Sequence, residues 1–171
     1  GAYHQDFDDY IFANTLDRFE DFRLIRYTAA DATFTGVDGE VRHDFGDVGV
    51  SLFGASVRAK LKGDLGDLPR IPAGRLGARA DGRWGALSGD VEYYHVFEQE
   101  RIAAFETRTP GYNMLNATMA YKVELGPKAD AELFVRATNL TNELAYNHAS
   151  FIKNASPLRG RNFVFGLRTS F

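Results

Sequence analysis

Short runs in which apolar and polar residues strictly alternate dominate the chain. In "RLGARADGRW", Leu76, Ala78, Ala80, Gly82 and Trp84 take one parity, and Arg75, Gly77, Arg79, Asp81 and Arg83 the other. The run "MLNATMAYKVEL" sets Leu115, Ala117, Met119, Tyr121 and Val123 against Asn116, Thr118, Lys122 and Glu124, and "DAELFVRATN" repeats the scheme from Asp130. At the chain end, Phe163, Phe165, Leu167 and Phe171 share a parity opposed by Asn162, Gly166, Arg168 and Ser170. A period of two is the signature of a β-strand with one apolar face. The same test predicts strands near 3–13, 31–45, 47–61 and 88–98, eight in all. The run at 47–61 alternates poorly, which predicts a bulge or a shifted register there.

The connections sharpen this picture. Those near 45–47, 85–87 and 125–129 are tight, whereas 14–30, 62–70, 99–110 and 141–159 are long, and the two kinds alternate along the chain. An up-and-down membrane barrel sorts its connections this way, because successive hairpin ends lie on opposite sides of the bilayer. A soluble sandwich has no reason to do so. Alternation by itself fits both, with the charged face meeting either bulk water or an enclosed lumen. The aromatic residues favour the membrane: Phe45, Trp84, Tyr121 and Phe171 fall at strand ends on the short-turn side, and Tyr93 and Phe97 toward the other rim, where rings settle at the bilayer interface.

Composition then excludes several classes. With 44% hydrophobic residues, 25% charged, a net charge of −3 and a mean hydropathy of −0.30, the chain averages out as a soluble globule. A barrel does the same, since only every second strand residue meets lipid. No stretch approaches the roughly 18 apolar residues of a membrane helix. The absence of cysteine removes disulfides and thiolate metal sites. The weakly acidic balance gives no reason to expect nucleic acid, and no nucleophile and base stand in a triad-like context, so no enzyme activity is expected.

The segment "NLTNELAYNHASFIKNASPLRGRNFVFGLRTSF" resembles the C-terminal end of TonB-dependent outer-membrane receptors. "LPRIPAGRLGARADG", "EYYHVFEQERIAAFETRTPGYNMLN" and "YNHASF" are similar to stretches of the zinc-uptake, ZnuD-like branch of that family. The resemblance covers nearly the whole chain and is strongest from Leu68 onward. It implies an all-β fold: an antiparallel up-and-down transmembrane β-barrel spanning 1–171, with eight strands here, either the last eight of a larger barrel or a small closed one. It implies transport in the bacterial outer membrane, with zinc, or another metal or metal complex, as cargo and no permanently bound cofactor. A standalone eight-stranded barrel of structural role is the alternative, and a soluble binding sandwich comes third. Implied partners are the lipid bilayer, lipopolysaccharide, the barrel-assembly machinery and, through a plug domain absent from these residues, the TonB complex. Phe163, Phe165, Leu167 and Phe171 look like the assembly signal.

The lumen wall is expected to carry Arg75, Arg79, Asp81, Arg83, Glu92, Lys122, Glu132, Arg136 and Arg168. Zinc without thiolates takes imidazole and carboxylate. His4, Asp6 and Asp8 of "YHQDFDD" share a parity expected to face the lumen, and His95 and His148, toward the outer rim, are expected to meet as an entry site. Hydration of the channel wall is the competing role for the first group, and plain surface exposure for the second. His43 reads as filler near a short turn. The sequons at Asn116 and Asn139 read as coincidence.

Overall fold

A computed structural model describes residues 1–19, 22–126 and 129–171. Eight antiparallel strands follow one another in a single sheet, β1 (Ala2–Phe19), β2 (Phe22–Phe45), β3 (Val48–Leu61), β4 (Arg75–Trp84), β5 (Leu87–Val96), β6 (Tyr112–Gly126), β7 (Ala129–Thr138) and β8 (Asn162–Ser170), each paired with its sequence neighbour. The order runs β1 to β8 without return, so the sheet is an open wall whose edges β1 and β8 do not pair with each other. The eight strands therefore do not close into the small barrel that was one of the two expected forms.

Two of the tight connections, Gly46–Asp47 and Gly85–Ala86, are two-residue hairpins, fixed by the pairs Phe45↔Val48 and Trp84↔Leu87. Each puts glycine first, at φ of 69° and 59°, a conformation that lets the hairpin follow the right-handed twist of the strands. The third tight connection, near 125–129, lies partly outside the described residues. The long connections 62–74, 97–111 and 139–161 gather at the opposite end. The fourth is different: most of the expected loop 14–30 is strand, because β1 and β2 continue as a ladder to Phe19↔Phe22. At about 3.3 Å per residue, the 24 residues of β2 extend roughly 75 Å, far more than a tilted strand needs to cross an apolar band about 25 Å tall. The upper half of that hairpin stands clear of the band.

The expected irregularity in 47–61 is absent, since β3 keeps one register against both neighbours. Its weak alternation comes from small residues on both faces rather than from a bulge. The register shifts fall elsewhere, between Phe7 and Tyr10, between Thr15 and Asp17, and between Glu124 and Gly126. At the first, Asp9 has φ of 53° and its N–H donates to Asp31 Oδ1 at 3.1 Å.

Directly opposed residues share a face, so the ladder assigns every strand. One face carries Leu76, Met119 and Leu133, which are 58%, 54% and 53% exposed, and no second layer covers them. A contiguous exposed apolar surface of this kind is not what a soluble domain presents to water. Phe45, Trp84 and Tyr121 lie on this face beside the short turns. The other face carries the charged residues below and, above, two small apolar clusters built by inward-folding loops: Leu68 on Phe12, Ala32 and Ala59, and Ala145 on Tyr112 and Met114.

Candidate functional site

The charged face of the sheet is a lattice of ion pairs whose spacing is set by the cross-strand ladder. Arg79 of β4 faces Glu92 of β5 directly, and their side chains bond. Arg168 of β8 meets Glu132 of β7 at 3.3 Å, and Lys122 of β6 meets Asp130 of β7 at 2.8 Å. Arg42 of β2 reaches further: it spans β3 to grip Asp81 of β4 through two nitrogens, at 2.5 and 3.0 Å, while its Nη2 lies 2.9 Å from Asp44. Gly49 makes that reach possible, because a Cβ there would stand 1.9 Å from Arg42 Nη2. A guanidinium held by two oxygens is fixed in direction as well as place. Gly77 and Gly166 play a related part, receiving the rings of Phe53 and Phe134 against the bare backbone.

All nine residues expected on the lumen wall share this face by register, from Arg75 opposite Ala55 to Arg168 opposite Glu132. Arg83 and Arg136 have no ion pair among the described residues, and Arg75 lies 6.0 Å from the Phe53 ring.

At the outer end the long loops are tied by a buried polar network that the alternation pattern cannot reveal. Glu106 of loop 97–111 and His148 of loop 139–161 have side chains only 4% and 3% exposed and approach to 3.8 Å. Glu106 also accepts the backbone N–H groups of Arg70, at 2.9 Å, and Ala103, at 3.0 Å. Lys153 donates from Nζ to Thr107 O at 2.5 Å and Thr109 Oγ1 at 2.7 Å. The Thr109 hydroxyl, thus accepting from lysine, is free to donate to His148 Nδ1 at 2.7 Å. By that assignment the ring proton sits on Nε2, facing Glu106, where it makes no hydrogen bond. Burial alone would raise the Glu106 carboxyl, but His148 and the two N–H donors outweigh it and hold the group below the ordinary carboxylate range. Burial pushes the Lys153 ammonium down. Arg70 completes the knot, donating to Ala13 O in the upper half of β1 and stacking 4.2 Å from the Phe151 ring.

Asn139 closes the base of the third loop. Its Nδ2 donates to Glu143 O at 2.9 Å and Arg159 O at 3.0 Å, and its Oδ1 accepts from Glu143 N at 2.8 Å. The residue is 2% exposed, so this sequon is a loop clamp with no room for a glycan. Between the loops and the wall lies a cavity of about 380 Å³, lined by Tyr3, Arg75, Tyr94, Tyr112, Tyr146 and His148 among others.

The candidate metal ligands do not assemble. Among the described residues no three His, Asp or Glu side chains gather as a metal site. His4 and Asp6 are 3.8 Å apart, but they oppose Thr35 and Thr33, on the face away from Arg42 and Asp81; they point outward and not into the lumen. Asp8 falls in the register break. His95 also lies on the outward face, where its Nδ1 is 2.9 Å from Asn113 Oδ1. His148 is buried among the loops on the other side of the sheet, so these two histidines do not meet. His43 packs against Phe45 on the outward face near a short turn.

A one-layer amphipathic sheet with short turns at one end and tied loops at the other is the wall of an outer-membrane barrel. Residues 1–140 match the family described as TonB dependent receptor-like, beta-barrel, and the chain belongs to that family. It is a family of transport receptors of the bacterial outer membrane, not of enzymes. A solved structure, that of the copper transporter OprC, superposes on 99% of this chain with a TM-score of 0.83 at 18% sequence identity. The chain covers 28% of the OprC chain. The likeness concerns the fold.

Proposed function

We propose that this chain forms part of the barrel of a receptor that takes up a metal, as the ion or as a small complex, across the outer membrane. The family match over 1–140 carries the reading. The two free edges support it. Within hydrocarbon each unsatisfied backbone group costs several kcal/mol, so β1 and β8 require further strands to complete the wall. For the same reason the standalone barrel is disfavoured. Zinc is the cargo to test first, on the similarity of "EYYHVFEQERIAAFETRTPGYNMLN" to the zinc-uptake branch; the copper transport named for the fold neighbour makes copper the comparison. Lipopolysaccharide surrounds the outer rim. The assembly machinery reads the strand ending on Phe171, and TonB acts through a plug domain.

The test is uptake of radioactive zinc and copper by cells carrying or lacking the intact receptor, with and without an energised inner membrane. Energy-dependent zinc uptake lost on deletion is the expected outcome. Uptake of both metals indifferent to the deletion would remove the metal assignment.

A further inference from the structure

Two of the outer turns carry a side chain where the backbone calls for glycine. Phe105 has φ of 64° at the third place of the turn that Glu106 N closes on Ala103 O at 3.1 Å, and Arg70 has φ of 60° directly after Pro69. A turn with positive φ at its third residue normally takes glycine there, and proline is a common residue just before it. For any other residue the left-handed region costs energy, most of all for a bulky one. Both turns are therefore strained.

One carboxylate holds the two of them. Glu106 Oε1 accepts the N–H of Arg70, and its Oε2 accepts that of Ala103, the residue that opens the Phe105 turn. The surrounding charges push in the same direction as the strain. Among the described residues Glu106 is the one acid that acts on both Arg70 of loop 62–74 and Lys153 of loop 139–161, while Arg23 of β2 repels both. With the carboxylate withdrawn, the turns are free to relax and the three cations drive one another apart. The network also borders the space it covers, since His148 and Thr109 line the cavity of about 380 Å³ beneath the loops.

We propose that the three outer loops form a spring-loaded lid over this cavity, held shut by Glu106 and driven open by the strain at Arg70 and Phe105 once that carboxylate is drawn away. An occupant that bonds His148 or Thr109 from inside the cavity acts on the catch directly, because Thr109 supports the ring that faces Glu106. A slack tie, when cut, leaves the loops where they are. A loaded one moves them, and the stored part resides in the backbone of the strained residues.

Two reporters read the opening in the intact receptor. Ala59, 2% exposed beneath Leu68, and Ala145, 1% exposed against Tyr112 and Met114, are each replaced in turn by the receptor's only cysteine, and labelling by a membrane-impermeant maleimide is timed on whole cells. Glu106→Gln should speed labelling at both sites by about tenfold or more. Phe105→Gly and Phe105→Ala then separate strain from side chain, since both lose the ring and only glycine escapes the left-handed penalty. The glycine variant should label about fivefold to tenfold more slowly than the alanine variant at both sites, and should recover much of the protection that Glu106→Gln loses. Without stored strain the more flexible glycine would label as fast as alanine or faster. That result, labelling indifferent to Glu106→Gln, or a response confined to one reporter would overturn the lid. Transport is not part of the readout, so failure here is distinct from failure of the metal assignment.

Discussion

Glu106→Ala is expected to free the outer loops while leaving the strands in place. The carboxylate is the common acceptor for two backbone N–H groups from different loops and, among the described residues, the only acid within ion-pair reach of His148. Removing it leaves the buried Lys153 ammonium without the carboxylate charge that favours it, and two backbone N–H groups without their acceptor. Breaking a buried charged arrangement on one side costs about 3–5 kcal/mol. Taken at 3 kcal/mol, this is roughly a hundredfold rise in the open-loop population. Limited proteolysis of the folded receptor would read it as new cleavage within 97–111 and 139–161, with resistance to SDS at room temperature retained. Unchanged cleavage would mean that the loops are held by their apolar contacts alone.

The same network has a pH signature. Glu106 is held below its ordinary value near 4.5, so its contribution is fully present above that value and is lost as pH falls through the depressed one. Loop protection in the wild type should therefore fail on acidification below pH 4.5. In Glu106→Gln, protection should start lower and show no such step.

The second large effect is expected from the smallest substitution, Gly77→Ala. A Cβ at Gly77 would stand 2.5 Å from the Phe53 ring, 2.6 Å from Tyr94 Cβ and 2.7 Å from Tyr93 O. The ring can swing away, but the Tyr93 carbonyl belongs to the β4–β5 ladder and moves only with the strand. Overpacking of this kind costs about 1–3 kcal/mol, measured as a lower urea midpoint of the folded barrel. Gly39→Ala is the control, since it meets nothing, and its midpoint should stay within the scatter of the wild type.

What the sequence reveals and what it hides divide at the edge of the apolar band. Within the band one rule governs most positions, charged residues on one face and apolar ones on the other, with Phe53 and Phe134 on the charged face and His43 on the outward one as exceptions. Arg79, Glu92, Lys122, Glu132 and Arg168 therefore take the face that alternation assigns, and Phe163, Phe165 and Leu167 take the other. Above the band the outward face meets water and the lumen face is covered by loops. There the rule inverts. His4 and Asp6 are polar and outward, while Tyr3, Phe7, Tyr10 and Phe12 turn inward, so a reading by polarity places the strand the wrong way round. The bulge at Asp8 and Asp9 adds a change of parity that no spacing announces.

The loop network was hidden for another reason. Glu106, Thr109, His148 and Lys153 come from two loops and are joined by contacts across 39 to 44 residues, which leave no periodic trace. Asn139 stands out in the sequence only through a sequon that reads as coincidence, and its clamp depends on Arg159 returning twenty residues later.

The account stands on the outward face meeting hydrocarbon. The chain contains no cysteine, so single cysteines at Leu52, Leu76, Met119 and Leu133 and at Ser51, Arg79, Thr118 and Glu132 can each carry a spin label in the assembled outer membrane. The first four should relax strongly with oxygen and weakly with a water-soluble nickel chelate, and the second four should show the reverse. Outward positions that meet the nickel chelate as readily as the lumen positions would contradict the account.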